Sequence, residues 1–176
     1  MSKRVGLIGL GKMGKNMALN LISKGYHVIV YNRSPQSTKE MEKKGAIGTY
    51  SFEEFADSLG KNKIIIIMVT AGKPVEDIIV KLFPFLSEGD ILIDGGNSFY
   101  EDSVRRYTTL KEEGINFIDV GVSGGLEAAR HGASLTIGGD KAVFKKIEFL
   151  FKDLAAKNGY GYVGNSGAGH FAKLIH

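Results

Sequence analysis

No cysteine occurs in the 176 residues, which excludes disulfides and thiolate metal sites and suits the reducing cytoplasm. No apolar run approaches the roughly 18 residues that a membrane span needs. The longest, residues 64–69, has the length of a strand buried on both faces. No secretory leader is legible, because the basic start runs directly into a strand and a glycine turn. The net charge of +4 is spread without a basic stripe interleaved with aromatics, so neither nucleic acid nor a membrane is an expected partner. A small anionic ligand is. Internal repeats and low-complexity tracts are also missing.

What is present is the composition of one domain with a sizeable core, 43 % hydrophobic, and 24 glycines. Apolar runs of strand length alternate with helix-period segments throughout, which predicts a parallel sheet covered by helices on both faces. Strands are expected at 5–8, 27–31, 47–49, 63–69, 90–93, 116–120, 134–137 and 160–163. Helices are expected at 12–23, closed by Gly25 as a left-handed cap, and at 35–44 with Ser34 as N-cap and Pro35 in first position. Further helices are expected from the N-cap Ser51 to 59, at 74–86 where Pro84 obscures the end, at 98–113, at 140–157 and from 168 onward. The fold class is therefore α/β, a Rossmann-type doubly wound, mostly parallel sheet.

The first strand runs into Gly9-Leu10-Gly11-Lys12-Met13-Gly14, a G-x-G-x-x-G turn that opens an amphipathic helix. Gly9 makes the tight turn, Gly11 lets backbone approach a pyrophosphate, and Gly14 permits close packing of helix on strand. The helix start then offers N–H groups and a partial positive charge to phosphates. The second strand ends in Asn32-Arg33-Ser34. An acidic residue there would accept from a ribose 2′-hydroxyl and repel a 2′-phosphate, whereas Asn32 and Arg33 supply donors and a fixed positive charge. The expected cofactor is NADP. Residues 1–166 then form its binding domain. Residues 167–176 start a long helix with no closing cap signal, expected to lead into a helical C-terminal domain outside this sequence.

Three loops follow predicted strands, where open parallel sheets place ligand sites. They are Met68-Val69-Thr70-Ala71-Gly72, Asp94-Gly95-Gly96-Asn97-Ser98, and Gly121-Val122-Ser123-Gly124-Gly125. A fourth segment places Lys173 and His176 three residues apart on one helical face. His170 is read as a packing or turn-capping residue, and His27 and His131 as surface or supporting residues.

The series G-L-G-x-M-G, N-R-S, M-V-x-A-G, D-G-G-N-S, V-S-G-G and G-x-G-H-F-x-K-x-x-H resembles the decarboxylating 6-phosphogluconate dehydrogenases, within the wider β-hydroxyacid dehydrogenase superfamily. The resemblance spans the whole chain in order. It implies oxidation at C3 with hydride transfer to NADP, loss of CO2, and tautomerisation to ribulose 5-phosphate. It also implies a phosphorylated sugar acid as substrate, a homodimer in the full-length family form, and no metal.

Lys173 matches the family's general base, which needs a neutral amine and so a lowered pKa. Asn97, Ser123, Gly124, Gly125 and His176 match positions that hold the sugar acid. Backbone N–H groups at Gly124 and Gly125 suit a carboxylate or an enediolate oxygen. The glycine turn (Gly9 to Gly14), Asn32 to Ser34, residues 68–72 and Asn97 match the cofactor side. Departures occur at Leu126-Glu127-Ala128-Ala129, where the family runs E-E-G-A, and at 132–139, where two prolines and one glycine are replaced. The family's N-G-I-E-Y, with the tautomerisation acid, lies past His176. Two other readings stay open: a dehydrogenase of another small 3-hydroxy acid, of 3-hydroxyisobutyrate or tartronate semialdehyde type, and a non-catalytic NADP-binding module.

Overall fold

The computed structural model describes residues 3–176. Its first half is three strand–helix units: β1 (Arg4–Ile8), α1 (Lys12–Ser23), β2 (His27–Tyr31), α2 (Pro35–Glu42), β3 (Ile47–Gly48) and α3 (Phe52–Leu59). The second half runs β4 (Ile64–Ile67), α4 (Lys73–Leu82), β5 (Ile91–Asp94), α5 (Tyr100–Glu112), β6 (Asn116–Ser123), α6 (Gly125–His131), β7 (Ala133–Gly138), α7 (Lys141–Lys146), α8 (Glu148–Leu154), β8 (Ala155–Gly164) and α9 (Ala168–Ile175). All eight strands form one sheet in the order β3-β2-β1-β4-β5-β6-β7-β8. Every adjacent pair is parallel except β6 with β7, so the expected doubly wound class holds with one antiparallel step.

Strand alternation explains how the apolar runs serve two cores. On β4, Ile66 packs with Leu7, Val28, Val30 and Ile93 on one face, together with Met17 and Leu21 of α1 and Phe151 of α8. Its neighbours Ile65 and Ile67 join Ile8, Ile29 and Leu92 on the other, with Phe55 of α3 and Val75 of α4. A central strand covered on both sides has no polar face to show, which is why residues 64–67 read as an unbroken isoleucine run.

Local signals held where the chain alone satisfies them. Gly25 has φ +84 after α1, as a left-handed cap requires. Ser51 accepts from the Glu54 N–H at 3.1 Å, a working N-cap. Ser34 precedes Pro35 in first position but makes no side-chain cap bond. Helix α4 stops at Leu82, and Pro84 sits in the 3-10 turn Phe83–Phe85.

Three expectations need correction. The helix expected over 140–157 breaks at Ile147 (φ −116, ψ 16) and ends at Leu154. Residues 155–157 go instead to β8, which pairs with β7 from Ala133↔Ala155 onward; the ladder overrides helix propensity. The strand expected to stop at 120 continues to Ser123, because β7 turns back antiparallel beside it. The segment after Gly124, read as loop, is helix α6, packed against α1. No helix among the described residues is long and apolar enough to cross a membrane.

Candidate active site

The sheet order reverses beside β1, whose neighbours are β2 and β4, and open α/β sheets bind ligands outside the carboxyl ends of strands at such a point. There the loops after β4 and β5, the end of β6 with the start of α6, and α9 enclose a cleft of about 690 Å³. Met68, Val69, Thr70, Ala71, Asn97, Ser123, Gly124, Gly125 and Lys173 all line it, as does Met13 from α1. Segments as far apart in sequence as Met13 and Lys173 thus meet in one place.

The glycine turn is built as its motif requires. Gly9 has φ +101, and a Cβ there would run into the Met68 carbonyl oxygen. A Cβ at Gly14 would strike the Gly9 carbonyl oxygen, so turn and helix can close only on hydrogen. Above Gly11 the space is open, and no side chain caps α1. Uncapped helix N–H groups facing open space are a ready anion site, with Lys12 exposed beside them.

Asn32 plays a different part from the one expected. Its Oδ1 accepts from the Leu10 N–H at 2.8 Å, and its Nδ2 donates to the Ser34 carbonyl at 3.1 Å. The amide ties the glycine turn to the end of β2 and keeps one Nδ2 hydrogen to donate to a ligand. Leu10 likewise has its N–H engaged and its side chain buried, so it shapes the turn. Arg33 and Ser34 are exposed, and Arg33 has no carboxylate partner among the described residues. Within Asn32-Arg33-Ser34, Arg33 carries the one fixed positive charge that a 2′-phosphate could meet.

Lys173 is half-buried on α9, and its ammonium donates to Asn97 Oδ1. Burial holds its pKa below the usual lysine range, with no carboxylate opposing the shift. Its backbone reaches this place because α9 lies directly on bare strand. A Cβ at Gly121 of β6 would stand 2.7 Å from Lys173 Cβ and 2.9 Å from the Gly169 carbonyl oxygen. Gly121→Val is accordingly expected to lift α9 and destabilise the domain by about 1–3 kcal/mol, the range of overpacked cores. Urea denaturation monitored by circular dichroism measures it; an unchanged midpoint would mean that α9 is not pinned there.

Two groups that hold the site escaped sequence reading. Asp119, fully buried on β6, accepts from the N–H groups of Gly167 (2.7 Å) and His170 (2.9 Å) and so caps α9 from across the fold. A carboxylate inside an apolar strand was the available signal. Arg106 of α5 is buried beneath the loops after β4 and β5, and nothing in the sequence separates it from exposed Arg105 next door. His170 is buried, with Nδ1 2.7 Å from Ser103 Oγ, and packs as expected. Gly72 begins α4 just outside the cleft lining. His176 is exposed beyond the last residue of α9 and is not brought to the cleft.

A larger cavity of about 830 Å³ lies at the opposite, amino ends of β1, β4 and β5, lined by Arg4, Ile64 and Ile91 among others. Two of its cations are already paired, Lys63 with Asp90 and Lys3 with Asp153, and it lies away from the glycine turn. The smaller cleft, where the loops converge, is the candidate.

A family model described as the NAD binding domain of 6-phosphogluconate dehydrogenase matches residues 4–164. The decarboxylating 6-phosphogluconate dehydrogenase of Chlamydia muridarum is 49 % identical over 181 residues, covering 98 % of this chain and 38 % of the relative. A Bacillus subtilis relative named as the NAD(+)-dependent, decarboxylating enzyme is 45 % identical over 184 residues, covering 100 % and 39 %. Among solved structures, Plasmodium falciparum 6-phosphogluconate dehydrogenase, described in apo form and in complex with NADP+ and with 6-phosphogluconate, superposes with a TM-score of 0.92 at 34 % identity. That match covers 98 % of this chain and 39 % of that one. The chain thus spans about two-fifths of the length of these relatives.

Proposed function

The chain belongs to the family of NAD-binding domains of 6-phosphogluconate dehydrogenase, and from that premise we propose that it binds NADP and supplies the general base for oxidative decarboxylation of 6-phosphogluconate. The observation that carries this reading is Lys173, an amine whose pKa burial lowers, hydrogen-bonded to Asn97 in the lining of a cleft whose wall includes Ser123 to Gly125.

The residues present fit the cofactor. The turn tolerates no side chain at Gly9 or Gly14, leaves Gly11 open, and presents an uncapped helix start to a pyrophosphate. Arg33 supplies the charge for a 2′-phosphate. Bound there, the nicotinamide would accept a hydride from C3 of the sugar acid. Neutral Lys173 takes the proton from the C3 hydroxyl, so that the C–O bond becomes a carbonyl as the hydride leaves. The bond from C2 to the C1 carboxylate then breaks, CO2 departs, and the electron pair forms a C2=C3 double bond as the C3 carbonyl oxygen takes the negative charge of an enediolate. Lys173 holds the abstracted proton within reach and returns it to that oxygen, and tautomerisation of the enediol then places a proton on the former C2 and restores the C3 carbonyl. The N–H groups at Gly124 and Gly125 favour an oxygen bearing negative charge without adding one of their own. Ser123 and Asn97 add neutral hydrogen bonds that fix the sugar acid.

Fluorescence titration of this chain with NADPH and NADH is expected to show saturable binding with NADPH tighter. Production of ribulose 5-phosphate by the complete polypeptide tests the substrate. Absence of binding to either nucleotide would remove the cofactor reading. Turnover of a different 3-hydroxy acid in preference to 6-phosphogluconate would correct the substrate.

A further inference from the structure

Arg106 is 2 % exposed, its guanidinium lies under the cleft, and the steps above leave it without a role. Its planar fork reaches four acceptors on three segments. Nε donates to Glu76 Oε1 in the first turn of α4 at 2.8 Å. Nη2 donates to the Gly72 carbonyl, where the loop after β4 ends, at 3.3 Å. Nη1 donates to Ser98 Oγ at 3.2 Å, in the loop after β5, and to Asp94 Oδ2 at 3.4 Å, at the end of that strand. Asp94 is fully buried; it accepts from Ser98 Oγ at 2.5 Å and, through Oδ1, from the Gly96 N–H at 3.0 Å. The two loops also touch directly, since a Cβ at Gly96 would stand 2.8 Å from the Val69 carbonyl oxygen. Between Gly96 and Ser98, both anchored to Asp94, sits Asn97, whose Oδ1 accepts from Lys173.

We propose that Arg106 is a positioning residue that couples the loop at 68–72 to the loop at 94–98, so that a nucleotide seated on the first sets Asn97 and, through it, the Lys173 amine. This rests on the reading of the cleft as the cofactor and sugar-acid site. A buried guanidinium is a costly choice for merely filling space, because apolar side chains of similar volume often serve stability as well or better. A fork that joins the end of one loop to the base of the next gives that cost a use. Lysine keeps the charge but, as a single point donor, cannot span Glu76, Gly72 and Ser98 together.

The test uses NMR of the isotope-labelled chain with 2′-phospho-ADP-ribose, which is NADP without its nicotinamide and so leaves the Asn97 side of the cleft uncontacted by that ring. In the wild-type chain, saturation is expected to shift the Gly96 and Asn97 amides and to move the titration of Lys173. In Arg106→Lys, the nucleotide is expected to bind within about threefold, while the loop shifts and the Lys173 response fall by more than half. Ser98→Ala, which removes one arm of the fork and keeps the buried ion pair, is expected to reproduce the loss in smaller measure. Should Arg106→Lys fail to fold, Ser98→Ala decides alone. Undiminished loop shifts in a folded variant that still binds would overturn the coupling and leave the cofactor reading intact. Failure of the wild-type chain to bind the probe would overturn both.

Discussion

Lys173→Met in the complete polypeptide is expected to slow oxidation about a thousandfold while NADPH affinity changes by less than about twofold. Positioned general bases contribute roughly 10²–10⁴ in rate, and methionine keeps the apolar stem while removing the proton acceptor. Lys173→Arg is expected to be equally slow, because a guanidinium stays protonated at any working pH. The pH dependence follows from the same burial. A lysine held below its usual range loses its proton at lower pH, so the rate should rise with pH on a limb that lies below the ordinary lysine value.

The stability linkage runs in the matching direction. Between the lowered native pKa and the ordinary one, the unfolded chain binds more protons, so stability rises with pH through that window. Below it, charged Lys173 sits at a cost that Lys173→Met removes. Initial-rate profiles and urea midpoints across pH measure both effects. Near-wild-type oxidation by either variant would show that another group takes the hydroxyl proton.

Arg33→Glu is expected to weaken NADPH binding about a hundredfold and to leave NADH within about threefold. A charge-assisted hydrogen bond is worth about 1.5–3 kcal/mol, and a like charge placed beside a phosphate adds repulsion. Each 1.4 kcal/mol is tenfold in affinity. The effect concentrates on this one residue because Arg33 carries the only charge in Asn32-Arg33-Ser34. Paired titrations of wild type and variant with the two nucleotides supply the measurement. Equal loss for both would mean that the change damaged the turn, and a wild type that prefers NADH would end the case for NADP.

Much of this protein is legible in its sequence, and the legible part has a common cause. Strand alternation, helix period, the φ requirement at Gly9 and Gly25, and the Ser51 cap are all satisfied within a few residues, so the local sequence carries them. The G-x-G-x-x-G turn and the glycine-rich loops after strands belong to the same kind of signal, and the loops after β4, β5 and β6 supply most of the cleft lining. Misreadings fell where local preference met a distant partner. Residues 155–157 favour helix until β7 offers a ladder, and the segment after Gly124 reads as loop until α1 supplies an apolar surface to cover.

What only the tertiary structure decided is how the pieces are held and which polar groups remain free. Asp119 reaches α9 across 48 and 51 positions of sequence, and Arg106 reaches Gly72 across 34. Asn32 holds the Leu10 N–H of the glycine turn, and His176 stays outside the cleft that Lys173 enters. A buried charge or amide must find a partner wherever the fold provides one. Its role is therefore set by what the packing brings near, and no window of neighbouring residues contains that information. The sequence by itself determined the sheet, the turn and the list of reactive groups; packing determined which of those groups support the site and which can act.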